Sequence, residues 1–127
     1  MLAGRFPAPG RVELVDIPEP VLPPSPAPGS TGDILFEPEI SCLCGSDLPY
    51  FNGEEPEFPG DTGHSLHEMV GTVLATNGKK FRPGDKVLAV PVNQQGLFER
   101  YIVSEQRAIP VDARIPWEQS FLAQPLG

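Results

Sequence analysis

Apolar residues recur at alternate positions along several short stretches, the period of a strand with one buried face. Val12, Leu14 and Ile17 predict a first strand, and the proline-rich run from Pro18 to Pro28 with Gly29-Ser30-Thr31-Gly32 predicts a surface loop after it. From Asp33 on, Ile34, Phe36 and Ile40 share one parity and predict a half-buried strand, with Pro38 marking an edge or a bulge. That strand delivers Cys42 and Cys44 to one face. Asp47 to Leu66 has no sustained period and predicts a long irregular loop, a length at which loops are often functional. Met69 to Ala75 predicts a strand interrupted by Gly71, and Asn77-Gly78 and Phe81 to Asp85 predict turns. Lys86 to Val92, Leu97 to Val103 and Arg107 to Val111 predict further strands. Pro116 suits the first turn of a short terminal helix, packed by Trp117 and Phe121, with Ile115 and Leu122 on the same side. The fold class expected is mainly β, a compact barrel or folded-over sheets of short strands with long loops.

Composition supports turns over helices: 17 Pro and 13 Gly among 127 residues exceed what regular helices tolerate. The length fits one domain. A net charge of −8 opposes docking on nucleic acid or anionic lipid, so neither is an expected partner. No apolar run approaches the roughly 20 residues that cross a bilayer. Met1 to Arg11 lacks the apolar centre of a signal peptide, and a cytoplasmic location is expected. Cys42 and Cys44 stand too close together to staple a fold, which leaves reduced thiols or a metal. There is no internal repeat and no Gly-x-Gly-x-x-Gly fingerprint.

Zinc favours Cys sulfur and His nitrogen, and a catalytic site leaves one position open. Cys44 stands where a strand runs into Gly45-Ser46-Asp47, and His67 and Glu68 stand where the long loop enters the Met69 strand. Alone, a Cys and a His with 22 residues between them fit a buried thiol and a loop histidine better than a metal pair. Their surroundings reverse that preference. Cys44-Gly45-Ser46-Asp47, His67-Glu68-Met69-Val70-Gly71, Phe81 to Val87 and Gly96-Leu97-Phe98-Glu99-Arg100-Tyr101 resemble, in order and spacing, the medium-chain dehydrogenase family, and specifically its GroES-like catalytic domain.

The resemblance implies a GroES-like barrel over residues 1–127 and a zinc-dependent oxidoreductase linked to NAD or NADP. Its substrate would be a small alcohol, polyol or sugar, or the corresponding carbonyl. It implies Cys44 and His67 as zinc ligands, Glu68 as the adjacent carboxylate that ligates directly or exchanges with water, and Ser46 as the hydroxyl relay for the substrate proton. Asp47 would orient His67. Ala123-Gln124-Pro125-Leu126 resembles the Glu-Pro-Leu segment that supplies a further ligand in polyol and sugar dehydrogenases; Gln124 takes the Glu position, as a poorer ligand or as a helix cap.

The chain also departs from the family pattern. Pro49 stands where many relatives place a relay histidine, so a proton exit would run through Ser46, Tyr50 or water. Leu66 replaces the glycine usual before the ligand histidine, and Pro91 to Gly96 bypasses the structural-zinc lobe, so no second zinc is expected. Tyr50 and Phe51 fit a substrate pocket or loop anchors, His64 fits a solvated loop residue or the pocket, and Cys42 fits a small core residue. The resemblance places the helix leading to a Rossmann domain just after Gly127. A truncated catalytic domain, inactive alone, with any homo-oligomer formed through the other half, is therefore the expectation. The rival readings are a stand-alone GroES-like module that binds a metal or partner without catalysis, and a zinc-free quinone or enoyl reductase.

Overall fold

The computed structural model describes residues 1–120. β1 (Leu2–Arg5) and β2 (Glu13–Asp16) form an antiparallel pair with Leu2 opposite Asp16. β3 (Asp33–Cys42), β4 (Glu68–Thr76), β5 (Lys86–Ala89), β6 (Tyr101–Ser104) and β7 (Ala108–Pro110) form a five-stranded sheet in the order β6-β3-β4-β5-β7. Every pairing in it is antiparallel. The helices are short, α1 over Asp47–Phe51 and α2 over Trp117–Ser120. The mainly β class expected from the alternating pattern is what forms.

Alternation in β3 turns Ile34 and Phe36 into the core, where both are fully buried with Met69, Val73, Val87 and Val103. The Phe36 and Tyr101 rings meet at 5.2 Å and 57°. Tyr101 donates its hydroxyl to the Ala89 carbonyl at 2.9 Å, and burial pushes its phenol well above the usual range. Pro38 is accommodated in both expected ways. β6 pairs only with Asp33 to Phe36, so Pro38 has no neighbour there to miss its N–H, and a bulge follows between Pro38 and Ile40. At Gly71 a Cβ would overlap the Glu37 carbonyl of β3, so the interruption in that strand marks a close backbone approach.

Several boundaries differ from the sequence expectation. β1 was not anticipated, since Leu-Ala-Gly-Arg carries no apolar alternation. The strand expected over Lys86 to Val92 stops at Ala89, because Val92–Gln94 coils into a 3-10 turn with Asn93 and Gln94 at φ 54° and 56°. The strand expected from Leu97 starts only at Tyr101; Leu97 instead accepts from the Gly4 amide at 2.8 Å, and Phe98 bridges Ala3. The strand expected over Arg107 to Val111 is trimmed to Ala108–Pro110 after a turn at Glu105–Arg107. The loop after Asp47 opens with α1, too short to show a helical period. The terminal helix forms after Pro116 and is held by Lys86, whose ammonium lies 4.3 Å from the Trp117 ring centre. Ile115 is 41% exposed, so it does not share a packed side, and Phe121 and Leu122 lie outside the described residues. Among the described residues no helix is long and apolar enough to cross a membrane.

Candidate functional site

The ladder between β3 and β4 sets Cys42 opposite Glu68, so the end of one strand and the start of the next lie side by side. Two residues past Cys42 the chain turns, with the Asp47 amide donating to the Cys44 carbonyl at 3.0 Å. The consequence is convergence: one ligand atom each from Cys44, His67 and Glu68 lies within 4.8 Å of the others, all three residues half-buried. A tetrahedral zinc with sulfur and nitrogen at roughly 2.0–2.3 Å wants its donors about 3.5 Å apart, a gap that small side-chain rotations close. A thiolate, an imidazole and a carboxylate fit zinc in chemistry as well. Cys42 is not among these donors. It is half-buried and not a core residue, and burial together with Glu68 pushes its thiol up. Gln124 lies outside the described residues.

Asp47 is 4% exposed and holds the segments of Cys44 and Ser65-Leu66 together. Its carboxylate accepts from the Cys44 amide at 2.8 Å, the Ser65 hydroxyl at 2.7 Å and the Leu66 amide at 3.2 Å. The contact with His67 Nδ1 is longer, 4.0 Å, an ion-pair distance wider than a hydrogen bond. Asp47 therefore stands beside the imidazole while its short bonds go to backbone and to Ser65.

The approach to His67 is left-handed. Ser65 has φ 109° and Leu66 φ 69°, the region where a side chain is disfavoured and glycine is not. The leucine at this point adopts the conformation expected of glycine, and its side chain packs partly against the core. The two substitutions that shorten it are expected to fall in an inverted order. Leu66→Ala loses packing and keeps the strain, whereas Leu66→Gly loses packing and relieves it, so the glycine variant should be the more stable by about 1 kcal/mol in urea unfolding. Ordinary ranking, alanine above glycine, would contradict this account.

Ser46 and His67 line one cleft of about 340 Å³, with Val90, Asn93, Gln94 and Arg107. Tyr50 and His64 line a second, of about 520 Å³, which shares Asn93 and Gln94 with the first. Their rings stack with centres 3.8 Å apart, and burial lowers the His64 imidazole against the opposing pull of Glu57, Asp47 and Asp61. His64 is thus a partly buried ring, not a solvated one. Phe51 departs from this group: it lines a separate apolar cleft of about 290 Å³ with Phe6, Leu48 and Leu97, and meets Phe6 edge-on at 5.6 Å. The residues that sequence reasoning missed are Asn93 and Gln94. Both are left-handed, and Gln94 is pinned through its carbonyl to the Ser65 amide at 2.9 Å. An Asn directly after an apolar strand, a residue type that tolerates φ > 0, is the signal that could have found them.

Residues 30–112 match the family described as the alcohol dehydrogenase GroES-like domain. An alcohol dehydrogenase of Cupriavidus necator is 34% identical over 91 residues, which is 70% of this chain and 22% of that protein. Alcohol dehydrogenase TADH from Thermus sp. ATN1 superposes with a TM-score of 0.76 at 24% identity, over 97% of this chain and 43% of that one. TarJ of S. aureus, in complex with NADPH, gives 0.73 at 21% identity, over 94% of this chain and 36% of that one. The chain thus spans about a fifth of the curated relative and less than half of either solved structure. By the matched residues, and with a mainly β fold that agrees, the chain belongs to the alcohol dehydrogenase GroES-like domain family.

Proposed function

We propose that the chain is the catalytic half of a zinc-dependent, NAD(P)-linked oxidoreductase that interconverts an alcohol, polyol or sugar hydroxyl and its carbonyl. The observation that carries the reading is the convergence of Cys44, His67 and Glu68 within 4.8 Å, beside the cleft that Ser46 and His67 share. In this reading Cys44, His67 and Glu68 hold the metal, and Gln124 or water completes the shell. Zinc, when bound, supplies a Lewis acid that lowers the pKa of a substrate hydroxyl.

The other roles fall to this chain's own groups. Ser46 accepts the hydrogen bond of the substrate hydroxyl and hands its proton to water, since Pro49 has no group to receive it. Asp47 fixes the separation of the Cys44 and Leu66 backbones, and so the spacing of the donors. The nicotinamide cofactor, a class that TarJ binds as NADPH, would be held by a domain outside these residues, which contain no glycine fingerprint.

Zinc titration of the 127-residue chain against a chromophoric chelator tests the metal site without needing activity. One zinc per chain is expected. Sharing a binding free energy of ~12 kcal/mol among four ligands gives ~3 kcal/mol each, so Cys44→Ser and His67→Ala should each weaken binding by about 100-fold. Ser46→Ala should leave zinc affinity unchanged. A native chain without measurable zinc affinity would refute the assignment.

A further inference from the structure

The 520 Å³ cleft has a chemistry that the metal reading does not use. Its charged lining groups are the carboxylates of Glu57 and Asp61, and no lysine or arginine faces it among the described residues. His64, its imidazole lowered by burial, offers no compensating charge near neutral pH. The cation of the adjoining cleft, Arg107, already donates to the Val90 carbonyl at 3.0 Å and the Pro91 carbonyl at 2.9 Å.

A second, independent observation points to a ligand. Tyr50 lines the cleft, is 5% exposed, and its buried hydroxyl has no hydrogen-bond partner among the described residues. Buried hydroxyls are normally paired, so this one is a group in want of a partner. It reaches the cleft wall at Gly60, where a Cβ would overlap the phenol oxygen. Asn93 and Gln94, held in a left-handed turn, line the same cleft.

We infer that this cleft receives the ammonium end of a hydroxyl-bearing cation, an amino alcohol or amino sugar, with Glu57 and Asp61 facing the charge and Tyr50, Asn93 and Gln94 taking the hydroxyls. Asn93 and Gln94 also line the Ser46 and His67 cleft, so the far end of such a molecule extends toward the donors. The inference rests on the proposed function only in calling that ligand a substrate; the charge preference belongs to the cleft itself. An ammonium donates to several acceptors at once, which the two carboxylates can supply. A phosphate or carboxylate in the same place would meet like charge with no donor cation opposite.

Three ligands with a common six-carbon chain test this: glucamine, glucitol and glucitol 6-phosphate, titrated into the 127-residue chain at low ionic strength and followed by amide chemical shifts. The expected order of affinity is glucamine, then glucitol, then the phosphate, with at least about tenfold between the extremes. Glu57→Gln combined with Asp61→Asn, both at exposed positions, should bring glucamine and the phosphate within about threefold of each other. Tyr50→Phe should weaken glucamine and glucitol alike. Equal affinities, the reverse order, no measurable binding, or an order that survives the double substitution would overturn the inference. Zinc content measured on the same samples separates the two claims. Zinc bound without the charge order refutes only this inference, and the charge order without zinc affinity refutes only the metal site.

Discussion

Asp47→Ala is expected to cost about 3–5 kcal/mol of folding stability, a large share of what a domain of this size possesses. The carboxylate is buried and accepts three short hydrogen bonds, and its removal leaves the Ser65 hydroxyl and the Cys44 and Leu66 amides without that acceptor. Each buried group so deprived costs about 1–3 kcal/mol, reduced where water can enter. Asp47→Asn keeps the shape but only one acceptor oxygen, so it should fall between the two and still fold. In that variant zinc binding should weaken by about tenfold, because the two donor segments are held less firmly. Urea unfolding and chelator competition on the same preparations give both numbers. An alanine variant within 1 kcal/mol of the parent would show that the clamp is dispensable.

Phe36→Ala should lose a similar amount, about 3–5 kcal/mol, for a different reason. Phe36 is fully buried in β3, with its ring against Tyr101 at 5.2 Å, and truncation would leave a cavity that β-strand neighbours cannot fill. Here the loss is confined to the core. Zinc affinity of the folded fraction should be unchanged, since the donors stand at the opposite end of β3 from Phe36, beyond its Cys42 end. A fall in zinc affinity matching that of Asp47→Asn would mean the site is coupled to core packing as a whole.

These two positions also mark what the sequence made legible. Phe36 announced itself by parity with Ile34, and a strand that alternates cleanly is readable because its period is a local property. Cys44, His67 and Glu68 were singled out through motif order, and the β3 to β4 ladder that brings them together follows from the same two strands. Asp47 was singled out as a neighbour of the imidazole, and its short hydrogen bonds to Cys44, Ser65 and Leu66 came from the structure. That it would face the imidazole was a reasonable guess, but which hydrogen bonds it makes depends on the left-handed turn at Ser65 and Leu66, and no residue type there signals φ > 0. β1 and α1 went unseen for want of length, four and five residues carrying too little pattern. The overlong strand from Lys86 failed at Pro91 to Gln94, where an apolar run continues in composition while the backbone turns. The cleft of Tyr50 and His64 was invisible as a unit, because its walls come from segments some forty residues apart.

The Asp47 clamp has a consequence for how a metal would be captured. Cys44 and His67 belong to segments joined by a loop, and closing a loop of about 20 residues carries an entropic cost of roughly 2–3 kcal/mol that grows only slowly with length. The clamp joins Asp47 to Leu66, one residue before the imidazole, using atoms of the protein alone. The chain has therefore met that cost in folding, and an arriving ion encounters donors already at a high effective concentration. A relative without such a clamp would have to recover the same entropy from the metal itself.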